Sequence, residues 1–399
     1  MKKELTGLLL MLCMLLCACQ LPQKNTEDVS DDNGTSIEVV NSATEKTSYD
    51  EYYGTEFSDS EDVTDNDPDK GGVTEVSEEG TEDEDTEVEP LPANPPKVYV
   101  EPVYNEGHTN LKVPTWIEYY AGLYFIVDCY NNQVIFSPSL NRELYEWQVL
   151  DPNGGFNRPH TIAFDGEVYM IDDTDNNRIV AYIRQYNEDG TVYFKKIQQF
   201  EDMGERPHYI KYFPEKEAFY AWSSMSGQMW VFKHSKDSSR VFLDTSYTIP
   251  DLKDVYVRSF TYMDGALYLV SGVGGDCCIY EMDFDTFEII RKIPIAPELG
   301  GMVQINKIGD YYYASISTSL YGEVELRDFI RTDSLEHLWV GQYDSYLDYV
   351  TSGFDATPYN MTEIGGKYYL TLHRDGWGSG VVRFEIIDGE PAKLVDYFY

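Results

Sequence analysis

The chain has 399 residues, with 70 acidic side chains against 30 basic ones and a formal net charge of −40 at pH 7. So acidic a chain, lacking any basic stripe, excludes the electrostatic footprint of a nucleic-acid-binding protein. Of its six cysteines only Cys129, Cys277 and Cys278 lie beyond the N-terminal segment, too few for a disulfide framework, and no C-x-x-C or histidine-rich spacing points to structural zinc.

The N-terminus reads as an export signal. Lys2 and Lys3 form a charged start, and the apolar run from Leu5 to Leu16 is too short to span a bilayer comfortably. Leu16-Cys17-Ala18-Cys19 then resembles the lipobox of bacterial lipoproteins. That resemblance implies a signal peptide over 1–18, cleavage before Cys19 and diacylglycerol on its thiol. Two acyl chains, at ~0.8 kcal/mol per buried CH₂, suffice for durable anchoring. No later stretch is apolar enough to cross a membrane, so the expectation is a protein tethered to the extracytoplasmic face of the cell membrane.

Residues 19–96 are dominated by Asp, Glu, Ser, Thr, Gly and Asn, with 24 acidic residues from Gln20 onward against only Lys24, Lys46 and Lys70. Such a segment cannot bury enough apolar surface to offset its ordering entropy, and it is predicted to be a disordered linker. As an ideal flexible chain it would span ~50 Å, more with like-charge repulsion, and so serve as a stalk.

Residues 97–399 carry the folded part. From Pro114 onward the sequence repeats, six times at about 45 residues each, an apolar strand, a tight turn, an aromatic-rich strand, a polar turn and two more strands. First strands run Pro114 to Tyr119, His160 to Phe164, His208 to Tyr212, Arg258 to Met263, Val303 to Ile308 and Tyr359 to Ile364. Turns follow at Ala121-Gly122, Asp165-Gly166, Pro214-Glu215, Asp264-Gly265, Gly309-Asp310 and Gly365-Gly366. Second strands begin near Leu123, Val168, Ala218, Leu267, Tyr311 and Lys367, and Lys393 to Tyr399 forms the outermost strand of the last copy. Repeats of this length built from four short strands predict an all-β, six-bladed β-propeller of four-stranded antiparallel blades. Cys277 and Cys278 read as neighbouring strand residues, one facing in and one out, with a vicinal disulfide as the alternative.

The second copy reads P-x-x-I, then D-G-x-V-Y, then I-D-x-x-x-N-N-R-I, through Pro159, Ile162, Asp165-Gly166, Val168-Tyr169, Asp172 and Asn176-Asn177-Arg178-Ile179. It resembles an NHL-type propeller repeat, which the first copy matches in part through Val127-Asp128 and Asn131-Asn132-Gln133-Val134. The other copies keep the strand rhythm without the Asn-Asn. The resemblance implies a six-bladed ring around a central channel, a fold that hosts enzymes, receptors and scaffolds alike.

In such a ring, the starts of first strands and the loops between second and third strands meet at one mouth of the channel. Arg158 with His160, and Arg206 with His208, stand two apart and are expected to share a face. Arg258 takes the matching position in the fourth copy, Thr115 that in the first, beside Trp116, and Tyr359 that in the sixth, beside Asn360. The adjoining loops add Asp173, Trp222, Ser224, His373, Arg374 and Trp377. Guanidinium groups bind carboxylate or phosphate bidentately, and Trp222 and Trp377 offer stacking platforms. The predicted function is recognition of an anionic small molecule, glycan or protein partner by a membrane-anchored monomer. The alternatives are a polysaccharide- or peptide-acting lyase or hydrolase, with His160 or His208 as general base, and a protein-assembly scaffold. No metal and no cofactor are expected: Arg258 stands where a third ligand beside His160 and His208 would lie. Nucleophile elbow, P-loop and H-E-x-x-H patterns are all missing, and no cysteine has a plausible histidine partner.

Overall fold

The structure, a computed structural model, describes residues 110–270, 277–317, 328–346, 356–374 and 380–398. The expected signal peptide, Cys19 and acidic linker lie outside these residues, as does Trp377.

The described chain folds into six sheets of four antiparallel strands, each built from consecutive strands and arranged in a ring. Blade one contains β1 (Pro114–Tyr120), β2 (Leu123–Asp128), β3 (Gln133–Ser137) and β4 (Gln148–Val149). Blade two contains β5 (Pro159–Phe164), β6 (Val168–Asp173), β7 (Arg178–Tyr186) and β8 (Val192–Phe200). Blade three contains β9 (Pro207–Phe213), β10 (Ala218–Ser223), β11 (Gln228–His234) and β12 (Val241–Thr248). Blade four contains β13 (Phe260–Met263), β14 (Ala266–Val270), β15 (Cys278–Asp283) and β16 (Ile289–Pro294). Blade five contains β17 (Met302–Ile308), β18 (Tyr311–Ile316), β19 (Asp328–Thr332) and β20 (Asp344–Ser345). Blade six contains β21 (Ala356–Ile364), β22 (Lys367–Arg374), β23 (Gly380–Ile387) and β24 (Glu390–Tyr397). Apolar residues on both faces explain the inner strands: in β2 and β6 nearly every side chain is buried, because each face packs on a neighbouring sheet. Cys278 is buried in β15, and Cys277, just before the strand, is half-buried.

Among the described residues no strand is shared between the first and last blades, so packing and hydrogen bonds must close the ring. Asn360 Nδ2 on β21 donates to the Thr115 carbonyl on β1 at 2.8 Å. Outside that seam, Trp147 and Tyr369 are buried in one apolar cluster with Ile117, Ile126 and Val381, and Phe398 packs edge-on to Trp147 at 5.5 Å.

Pairing registers align the inner strands position by position, counted back from the hairpin that joins each to its neighbour. Three rings of side chains result. The uppermost, at the strand starts, is Thr115, His160, His208, Arg258, Val303 and Tyr359. One residue on lies Trp116, Thr161, Tyr209, Ser259, Gln304 and Asn360; two further on lies Glu118, Ala163, Lys211, Thr261, Asn306 and Thr362. In blades one, two, three, five and six the register slips by one residue across the uppermost ring. An extra residue there bends the strand and re-aims its side chain. Of the positions singled out by sequence, Thr115, His160, His208 and Tyr359 are therefore bulge positions, while Arg258 is not.

Candidate ligand-binding mouth

Two polar loops of like design build the upper mouth. In blade one, the Asp128 carboxylate accepts from the Lys112 backbone at 2.6 Å, from Asn131 at 2.7 Å and from Gln133 at 3.1 Å. In blade two, Asp173 accepts from the Asn157 backbone at 2.6 Å, from Asn176 at 2.9 Å and from Arg178 at 2.6 Å. The structural partner of Asp128 is thus Asp173, one residue beyond the Asp172 of the repeat pattern. Each loop ends on an asparagine in the left-handed region, Asn132 (φ 54°) and Asn177 (φ 51°), a conformation asparagine tolerates better than most residues. Its side-chain oxygen then reaches the next blade: Asn132 accepts from the Arg158 backbone and Asn177 from the Arg206 backbone, both at 2.9 Å.

Arg158 and Arg206 are themselves left-handed, with φ 52° and 59°. They sit in the approaches to β5 and β9, not in the strands. The expectation that strand periodicity aligns Arg158 with His160, and Arg206 with His208, is corrected here: the turn decides where each arginine goes. Asp175, from the same blade-two loop, lies between the two guanidiniums, 3.4 Å from Arg158 Nε and 3.2 Å from Arg206 Nη2. Arg158 rests over Tyr130 at 5.1 Å, while Arg206 and Arg258 lie 5.6 and 5.3 Å from the Tyr256 ring. Arg258 is fully buried and donates to the Gly301 carbonyl at 3.1 Å. Ser224 donates to the Arg206 carbonyl through its backbone at 2.9 Å, and its hydroxyl lies 3.2 Å from the same oxygen.

The histidines meet as expected but not as reactive groups. His160 and His208 stack with ring centroids 3.8 Å apart, and Tyr359 lies 6.4 Å from His160 across the channel. His160 Nδ1 is 2.9 Å from the Arg158 carbonyl and 2.8 Å from Thr174 Oγ1. His208 has both nitrogens engaged, Nδ1 with the Arg258 carbonyl at 2.9 Å and Nε2 with the Tyr256 hydroxyl at 2.8 Å. Burial, reinforced by the Arg206 guanidinium, drives the His160 pKa down to about 3. Burial also drives His208 well down, with the neighbouring imidazole adding to the effect. Both rings are held neutral, and pKa values so far below the ordinary one make each a weak proton acceptor.

The core supplies further corrections. Trp222 is fully buried and donates to the Val257 carbonyl at 3.1 Å, so it is a core residue and no stacking platform. Asn360 spends its amide on ring closure. His373 lies near the end of β22, half-buried and in register with Thr357, and Arg374 is the last residue of that strand. Cys129 does have a histidine partner, its Sγ lying 3.8 Å from His160 Nε2. The thiol is fully buried and its pKa is pushed well up by burial, so this is a neutral contact and not an activated nucleophile. Below it, burial raises the Asp172 pKa to about 8, although the carboxyl accepts from Thr161 N at 2.7 Å and Thr161 Oγ1 at 2.5 Å. Among the described residues no group of three His, Cys, Asp or Glu side chains converges to hold a metal. Sequence reasoning missed Asp175 and the tyrosines beneath the arginines; the D-x-x-N-N spacing around Asp175 was the available signal.

No protein-family model and no curated protein matches the sequence. Solved structures resemble it in fold. Sqt1 of Saccharomyces cerevisiae is 10% identical with a TM-score of 0.47, covering 74% of this chain and 88% of its own. The β-propeller domain of Cps50 (Swd1) from Myceliophteria thermophila is 10% identical with a TM-score of 0.43, covering 71% and 86%. Hydrazine synthase from Kuenenia stuttgartiensis is 16% identical with a TM-score of 0.45, covering 70% and 78%. Likeness at this level carries no information about activity.

Proposed function

We propose that the protein is a lipid-anchored binding protein on the extracytoplasmic face of a bacterial membrane, taking an anionic ligand at the upper mouth of an NHL-like propeller. The anchor rests on Leu16-Cys17-Ala18-Cys19, and the NHL kinship on the paired D-x-x-N-N loops of blades one and two. One observation carries the ligand class: guanidiniums from successive blades, Arg158 and Arg206, converge on the carboxylate of Asp175. A carboxylate or phosphate oxygen arriving beside Asp175 would meet two preorganised donors, each braced by a tyrosine ring and a pinned backbone. The lyase or hydrolase alternative is less well supported, since both His208 nitrogens are engaged and burial holds the His160 pKa far below its ordinary value.

The test is isothermal titration of the full chain with polygalacturonate and with inorganic phosphate. Arg158→Ala/Arg206→Ala should bind about 100-fold more weakly, the loss of two charge-assisted contacts, with its melting curve confirming a folded protein. Equal binding by the folded variant and the parent, or none by the parent to either anion, defeats the proposal.

A further inference from the structure

Side chains meet across the channel at mid-height. Trp116 of blade one meets Tyr209 of blade three edge-on at 5.5 Å, and Tyr209 reaches Gln304 of blade five. Contacts between such non-adjacent blades exist only at the ring's centre. They show that this register position points inward and that Trp116, Tyr209 and Gln304 narrow the channel at mid-height. Residues two further along a strand point to the same side. The ring below the plug therefore also faces inward: Glu118, Ala163, Lys211, Thr261, Asn306 and Thr362.

This lower chamber is polar on every blade but one and is incompletely satisfied. Thr261 Oγ1 and Thr362 Oγ1 are buried without a hydrogen-bond partner, as are Trp116 Nε1 and Asn360 Oδ1 at its roof. The four residues are 8%, 7%, 6% and 3% exposed. A buried polar group left unpaired costs about 1–3 kcal/mol, so four on this stretch of the inner strands mark a place suited to polar matter. Glu118, Lys211 and Asn306 are not fully buried, which leaves the chamber open toward the lower face. The Glu118 carboxylate accepts from the Tyr119 backbone at 3.2 Å, and among the described residues it makes no ion pair with Lys211. Burial raises the Glu118 pKa to about 7 and lowers that of Lys211, as expected for opposite charges held apart in a poorly solvated space.

From this geometry we propose that the lower chamber is a second binding site, for a small zwitterion of the α-amino-acid class. The ligand's ammonium faces Glu118, its carboxylate faces Lys211 and the threonine hydroxyls, and the Trp116–Tyr209 plug forms the wall against which its side chain rests. A ligand with one charge of each sign satisfies both walls at once, which neither a simple anion nor a simple cation can do.

The experiment is a thermal-shift and calorimetric screen of the full chain against the L-α-amino acids, with acetate, ethylammonium and glucose as partial mimics. At least one amino acid should bind, and the three mimics should bind at least tenfold more weakly. Glu118→Gln and Lys211→Met should each weaken that amino acid about 10- to 100-fold, the loss of one charge-assisted contact. Thr362→Val, which removes only an unpartnered hydroxyl, should stay folded and still weaken it. The Arg158→Ala/Arg206→Ala variant should bind it as the parent does, separating this site from the upper mouth. No binding by the folded parent at millimolar amino acid, meaning a chamber filled by water alone, overturns the proposal. So does binding that the Glu118 and Lys211 substitutions leave unchanged.

Discussion

His234 staples blades two and three at the ring's lower edge, and its protonation should be visible as pH-dependent stability. Its Nδ1 lies 2.9 Å from Asp165 Oδ2 and its Nε2 lies 3.6 Å from Glu167 Oε2, both in the β5–β6 hairpin, with the Ser238 carbonyl 3.1 Å from Nε2. Asp165 is held in place by the Glu167 and Val168 backbone amides at 2.9 and 2.7 Å, and Ser239 bonds Glu167. The hydrogen bond to Asp165 chiefly, opposed by partial burial, raises the His234 pKa above its ordinary value. A group whose folded pKa is raised stabilises fully below its unfolded value, ~6.5 for histidine, and loses that contribution as pH climbs through the folded value. The imidazole is 25% exposed, so the charge-assisted bond is worth about 1 kcal/mol after allowance for solvent. Against His234→Gln, which keeps a neutral donor, the parent should melt about 2 °C higher near pH 5.5, and the gap should close by about pH 8.5. Thermal melts of both proteins across that range measure it directly. A gap that is constant, or that widens with pH, refutes the assignment of a protonated His234 between two carboxylates.

Trp147→Ala should destabilise the ring by about 3–5 kcal/mol, because Trp147 fills the blade-one side of a seam that, among the described residues, no shared strand closes; denaturant unfolding of the full chain checks this. Cys19→Ser should shift the protein from the membrane fraction to the soluble fraction of cells that process lipoproteins, and retention in the membrane would remove the lipid anchor from the proposal.

Much of the architecture was legible in the residues. The second strand of blade one, Leu123–Asp128, and that of blade five, Tyr311–Ile316, lie where apolar patterning and turn residues place them. The position shared by His160, His208, Arg258 and Tyr359 was also legible, since it recurs at one step of the repeat. Chemistry at that position was not. Whether His208 is a base depends on the Arg258 carbonyl and the Tyr256 hydroxyl, which come from the approach to the next blade, 50 and 48 residues away. Trp222 looked like a loop aromatic and is core, because β10 extends through Ser223 and buries every side chain.

Strand rhythm, turn identity and charge are local properties, governed by backbone sterics and by burial along a single sheet, and the amino-acid order determined them unaided. The plug of Trp116, Tyr209 and Gln304, the chamber beneath it and the Asp175 bridge are contacts between blades. They exist only once the ring has closed and residues far apart in the chain share one axis. No periodicity encodes which side chain spans a channel; that is decided by the width of the closed ring and by the groups it brings opposite one another.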